Sequence, residues 1–155
     1  MILTKNKRNI DEIVSEALKL DSEGKGKQAI SLMEELIANS DEQTIASDPV
    51  LLAILGSIYY TNSNYASAIK LMRRFQKYKP ASEKASCVIF HSLNSIGKPK
   101  DAMEELKMFL TNHELKKGNY IDILKDLKKA LEKNIDLEYI LPYKDLILEN
   151  VNKYS

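Results

Sequence analysis

Residues 49–80, PVLLAILGSIYYTNSNYASAIKLMRRFQKYKP, decide how this chain is read. Val50 to Tyr60 is almost wholly apolar, with Gly56 set among large side chains. A polar break follows at Thr61-Asn62-Ser63-Asn64. Beyond it, Tyr65, Ala68, Ile69, Met72 and Phe75 recur at spacings of three and four, which places them on one face of a helix. The pattern predicts two short helices joined by a tight turn, with Gly56 and Ala68 as the small residues that let the backbones approach. Such a hairpin cannot cover its own apolar surface, so it implies stacked neighbours.

The neighbours are found by shifting along the chain. A shift of 34 residues carries Ala68 to Ala102, Met72 to Leu106 and Phe75 to Phe109. The turn recurs as Gly97-Lys98-Pro99, after an apolar first helix from Ala85 to Ile96. In the other direction, Lys25-Gly26-Lys27-Gln28-Ala29 repeats the turn and the small residue, with Met33 and Leu36 following. The polar loop Ser40 to Asp48 separates this first unit from the second. Three helical hairpins are predicted, over residues 10–38, 49–80 and 83–111. Asp48-Pro49 reads as an N-cap with proline in the first turn, and Ser82 as the next cap.

Gly56, Tyr59, Ala68 and Pro80, at their mutual spacings within a 34-residue unit, resemble the tetratricopeptide repeat. The third unit keeps Gly97 and Ala102 but has Phe90 where the middle unit has Gly56; the first keeps Gly24 and Ala29 and has Ala17 there. The resemblance implies an all-α solenoid with a concave groove lined by the first helix of each hairpin, in which a partner segment lies. Carried over by spacing, the groove set is Val14 and Leu18, then Ala53, Ser57 and Tyr60, then Lys84, Cys87, His91 and Asn94. Tyr60 is the expected anchor. One branch of the family grips acidic C-terminal peptides through a lysine–asparagine clamp on these helices. Here Val14, Leu18 and Ile54 stand at three clamp positions and only Lys84 fits, so that specificity is not expected.

Around the hairpins, residues 1–8 read as a basic, frayed tail. Residues 117–155 read as capping helices of the same domain. Tyr120, Ile123, Leu124, Leu127 and Leu131 line one face of the first of them, and Ile147, Val151 and Tyr154 mark the last. Pro142 is expected to start or kink that final helix. A solenoid end needs such a half-polar element, because its outer face meets water.

The chain has 155 residues, 44% hydrophobic and 29% charged, ordinary values for a globular domain with a sizeable core. Its single cysteine allows no internal disulfide, and no apolar run reaches the ~20 residues that span a bilayer. The N-terminus lacks the long apolar region of a secretory signal, and a cytoplasmic location is expected. The net charge of +1 hides a segregation. Residues 9–48 hold ten acids and three bases, a net of −7, whereas residues 49–100 hold one acid and eight bases, a net of +7. A surface polarised in this way steers charged partners and favours head-to-tail contacts.

Little in the sequence points to catalysis. Neither His91 nor His113 has metal-ligand spacing with Cys87, and no glycine-rich phosphate loop is present. Cys87 and His91, four apart on one helix, would be neighbours, but a thiol nucleophile also needs an orienting group and an oxyanion site. The carboxylate pairs Glu34-Glu35 and Glu104-Glu105 fit a solvated helix face. Lys70, Arg73, Arg74 and Lys77 form a basic stripe that could neutralise phosphates, although few aromatics interleave it. Nucleic acid is therefore not the expected partner, and neither a membrane nor a cofactor is implied. The sequence reading is a non-enzymatic interaction module, a monomer or weak homodimer, that holds a partner protein in its groove. By size and layout it looks like a small bacterial chaperone or adaptor; an immunity-type inhibitor of a protein toxin is the other use of the scaffold.

Overall fold

The computed structural model describes residues 9–116 and 118–155, and the basic tail 1–8 lies outside them. Among the described residues the chain is all-helical, 79% helix with no strand. The helices are α1 (Ile10–Ser22), α2 (Gly26–Ala38), α3 (Glu42–Ser47), α4 (Val50–Thr61), α5 (Tyr65–Tyr78), α6 (Glu83–Ser95), α7 (Pro99–Asn112), α8 (Asn119–Glu132), the short α9 (Leu137–Ile140) and α10 (Lys144–Lys153). The chain divides into two compact units, one ending at Tyr78 and the other beginning at Lys79.

In the first unit α1 packs on α2 and α4 on α5, while α4 also contacts α2 and α1. This central place explains the apolar run of residues 50–60. Leu51, Leu52, Leu55, Gly56, Ile58 and Tyr59 are buried around most of the circumference of α4. Gly56 lets α5 approach closely: a Cβ there would stand 3.1–3.2 Å from the side chain of the fully buried Met72, which would have to shift by a few tenths of an ångström. Tyr59 reaches across to donate its hydroxyl to Glu34 on α2. Burial and that carboxylate push the phenol up to about 12. At the far end of α4, Asn62 Nδ2 donates to Asp21 Oδ1 of α1 at 2.8 Å and to the Ile58 carbonyl at 2.8 Å.

Two local expectations are corrected in this unit. The loop from Ser40 to Asp48 contains α3, because Asp41 accepts from the Thr44 amide at 2.7 Å as its N-cap and Ile45 is buried. Pro49, with φ −65°, is itself the residue that precedes α4, and Asp48 contributes only its carbonyl, to Leu51 N at 3.3 Å.

In the second unit α6 has the central place. It packs on α7 and α8, α10 covers α8, and α9 touches both α7 and α8. Ser82 caps α6 by accepting from Ala85 N at 3.2 Å. Pro142 falls in a 3-10 turn, Leu141–Tyr143, that breaks the last segment into α9 and α10. Tyr154 at the end of α10 accepts from Leu115 N at 3.0 Å, which ties the C-terminal helix to the segment between α7 and α8.

One turn geometry recurs along the chain. Gly24, Ser63, Gly97 and Asn134 adopt left-handed φ values of 78°, 61°, 78° and 55°. After each, the next amide donates back to the carbonyl five residues earlier: Lys25 to Leu20, Asn64 to Tyr59, Lys98 to Leu93 and Ile135 to Ala130, at 2.8–2.9 Å. This is a Schellman ending, which satisfies helix carbonyls and reverses the chain. Five residues beyond the first three stand Ala29, Ala68 and Ala102, all with no exposure, on the returning helix. The fourth turn, at Asn134, has Tyr139 at that place, and the short α9 replaces a full returning helix.

Candidate functional site in the second unit

A half-open cavity of about 320 Å³ lies between α6, α7, α8 and α9. Helical periodicity builds its walls. From α6 come Phe90, His91 and Asn94; from α7, Pro99 and Met103, four apart. From α8 come Ile123, Asp126, Leu127 and Ala130, at spacings of three and four. The last wall is Asp136, Tyr139 and Ile140, at the start of and along α9. The floor is apolar, and buried Phe90, Met103 and Ile140 form part of it. Ile123, Leu127 and Ala130 are only half-buried, so α8 leaves one edge of its apolar face uncovered there.

Buried polar contacts hold these walls in register. Glu83 opens α6 and is 6% exposed; its Oε2 accepts from the Tyr120 amide at 3.0 Å, which fastens the first turn of α8 to the first turn of α6. Deeper, Ser86 Oγ donates to Glu105 Oε2 of α7 at 2.8 Å; Glu105 is 4% exposed, so only Glu104 of that carboxylate pair lies on the solvated face expected for both. With that proton committed, the Tyr120 hydroxyl donates to Ser86 Oγ at 2.6 Å. The relay runs from α8 through α6 to α7. Tyr120 has no exposure, packs edge-to-face on Phe90 at 6.1 Å and tilts on Phe109 at 5.5 Å. Burial drives its phenol well above the ordinary value. On the opposite side, Tyr143 donates to Glu104 and Lys100 Nζ lies 3.8 Å from Glu138, so α7 carries both ends of the α9 segment.

The expected groove residues fare differently. His91 and Asn94 do line the cavity, with Phe90 and His91 edge-to-face at 5.5 Å. Desolvation lowers the imidazole pKa and favours the neutral ring. Lys84 is exposed on the first turn of α6, away from this lining. Cys87 is corrected: it is 6% exposed and faces the core. Burial first, and then the charges of Glu83 and Glu105, push its thiol far above the ordinary value, so a nucleophilic thiolate is disfavoured. In the first unit Val14, Ala53, Ser57 and Tyr60 are half-buried and Leu18 is 48% exposed. The Tyr60 ring stands edge-on to Tyr65 at 5.9 Å. Lys70, Arg73, Arg74 and Lys77 are all exposed on α5, with Arg73 Nη1 donating to Gln76 Oε1 at 3.2 Å.

Met103, Asp126, Ala130, Asp136, Tyr139 and Ile140 were not singled out by sequence reasoning. Ile123 and Leu127 were visible as part of the α8 stripe, and their incomplete burial is the signal that marks them. Among the described residues, no group of three or more His, Cys, Asp or Glu side chains could hold a metal ion, and no helix is long and apolar enough to cross a membrane. No protein-family model matches the chain, and neither a curated protein nor a solved structure matches it. What it does is therefore read from its own residues.

Proposed function

We propose that this chain is a non-enzymatic interaction protein, built from tetratricopeptide-like hairpins, whose second unit binds a segment of a partner protein in the α6–α9 cavity. The recurrent left-handed turn followed five residues later by a fully buried alanine supports the repeat reading. The cavity supports the binding reading, and it is the observation on which this function rests. Its about 320 Å³ is at the small end of ligand pockets, suited to one or two bulky side chains rather than a large cofactor. A partner side chain entering it would bury apolar surface against Met103, Leu127 and Ile140, the anchor-in-pocket arrangement of interface hot spots. Ile135 and Leu141, neighbours in sequence of the α9 wall, are 49% and 52% exposed and add apolar surface for a docking segment. Chaperone, adaptor and toxin inhibitor are uses of this same binding step. They differ in whether the bound segment is unfolded or belongs to a folded domain.

The test is selection of displayed random peptides on the folded chain, with Ala130→Phe as counter-screen. Ala130 is half-buried in the cavity wall, so a phenyl ring there occupies the space a ligand would take. Selected peptides should bind the wild type and lose at least about tenfold on the filled variant, the equivalent of one anchor contact. Peptides that bind both proteins equally, or a library from which nothing is enriched, would refute the reading. The exposed cations of α5 favour a second use, phosphate binding. It requires nucleic-acid affinity that falls steeply with salt and disappears in Arg73→Glu/Arg74→Glu.

A further inference from the structure

The geometry points to a cationic partner segment: one that carries a bulky apolar side chain beside lysine or arginine, with the apolar group in the α6–α9 cavity and the cation against Asp126 and Asp136. This inference deepens the proposed binding function and rests on it. The charge of the lining carries the argument. Two carboxylates line the cavity, Asp126 on α8 and Asp136 at the entry to α9, and no lysine or arginine is among the lining residues. Both aspartates are exposed, so a bound cation meets them without the cost of burying an unpaired charge. Lys100, next to Pro99 on the α7 wall, lies 3.8 Å from Glu138. Several lysines decorate α8, and none of them lines the cavity.

The remaining polar groups fit the same ligand. Tyr139, an aromatic residue that can attract a cation, and Asn94, which carries an amide oxygen, are among the lining residues. His91 is the one lining group that could bring positive charge, and its desolvation keeps it neutral near pH 7. An acidic segment would meet two like charges over an apolar floor. That repulsion gives the site its selectivity. The chain totals only +1, but residues 9–48 carry a net −7, so neutralising Asp126 and Asp136 is what separates the cavity from that acidic stretch.

Three fluorescein-labelled peptides of equal length test it, sharing one leucine–phenylalanine centre and flanked by lysine and arginine, by serine, or by glutamate. Anisotropy titrations of the full chain at low salt should rank them cationic, neutral, acidic, with about tenfold between the first and the last. The gap should shrink in half-molar salt and close in Asp126→Asn/Asp136→Asn. Asparagine at 136 preserves tolerance of the left-handed φ of 54° found there. Equal binding of the three peptides, abolished by Ala130→Phe, would overturn the charge inference and leave the cavity as the site. Failure of all three to bind, or binding that survives Ala130→Phe, would overturn both; in the latter case the cation is held elsewhere, as on the acidic α1 and α2.

Discussion

Ser86→Ala is the substitution that most sharply probes how the cavity walls are held. It removes one oxygen from a side chain with no exposure, and on helix propensity alone it should stabilise α6 by ~0.5 kcal/mol. The relay predicts the opposite. Ser86 donates to Glu105 Oε2 at 2.8 Å and receives the Tyr120 hydroxyl at 2.6 Å. Losing a hydrogen bond to a carboxylate costs roughly 1.5–3 kcal/mol, and a stranded buried hydroxyl roughly 1–3 more. The net expectation is a loss of about 2–5.5 kcal/mol. With a urea slope of ~1.5 kcal/mol/M, the denaturation midpoint should fall by roughly 1.3–3.7 M. Tyr120→Phe alone should cost only about 1 kcal/mol, since Ser86 keeps its bond to Glu105. In the double variant no tyrosine hydroxyl is stranded, so the combined cost should fall short of the sum by roughly 1–3 kcal/mol. Urea titrations followed by far-UV circular dichroism give the cycle, and amide exchange on α6 and α8 confines the readout to the second unit. Additivity of the two substitutions within ~0.5 kcal/mol would refute the relay.

Two further outcomes follow from local geometry. A Cβ at Gly26 would stand 1.8 Å from Asn62 Oδ1, and Asn62 is held by its bonds to Asp21 and Ile58. Gly26→Ala should therefore break both bonds and cost about 2 kcal/mol, a fall of roughly 4–8 °C in the thermal midpoint; an unchanged midpoint would contradict the packing of α2 beneath Asn62. For His91, an exposed residue whose ring is partly desolvated by the cavity wall, the folded pKa lies below the ordinary 6.5, so the neutral ring favours the folded state. That contribution is fully present above about pH 6.5 and is lost as pH falls through the folded value. His91→Gln should flatten the decline of the urea midpoint below about pH 6.5, and parallel declines in both proteins would contradict it.

Much of the helical framework was legible because it is local. The polar break at Thr61 to Asn64, Gly24 and Gly97 mark chain reversals through their own backbone preferences. Gly56 and Ala68 mark close approach through their size. Asn134 marks a reversal by the same physics, and only its isolation from an alanine five residues on hid the fourth turn. The orientation of α6 was not legible. It is buried almost all round, from Ala85 to Leu93, so no apolar stripe separates an inward face from an outward one. Cys87 could therefore be placed on a groove when it faces the core. The cavity itself was not legible: His91 and Asn94 were named for a groove across all three hairpins, carried over from the repeat resemblance, and Ile123 and Leu127 only as part of the α8 stripe. Its last wall depends on Tyr143 reaching Glu104 and on Lys100 meeting Glu138, contacts 39 and 38 positions apart that no local pattern encodes.

The central claim is that the α6–α9 cavity receives a partner segment, and amide chemical-shift mapping tests it most directly. The full chain, labelled with nitrogen-15, would be titrated with the lysine- and arginine-flanked leucine–phenylalanine peptide. The account predicts saturable shifts concentrated at His91, Asn94, Met103, Leu127, Ala130 and Tyr139, with the Lys70–Lys77 stripe unmoved. Shifts gathered on α5, on α1 and α2, or nowhere at saturating peptide would contradict it.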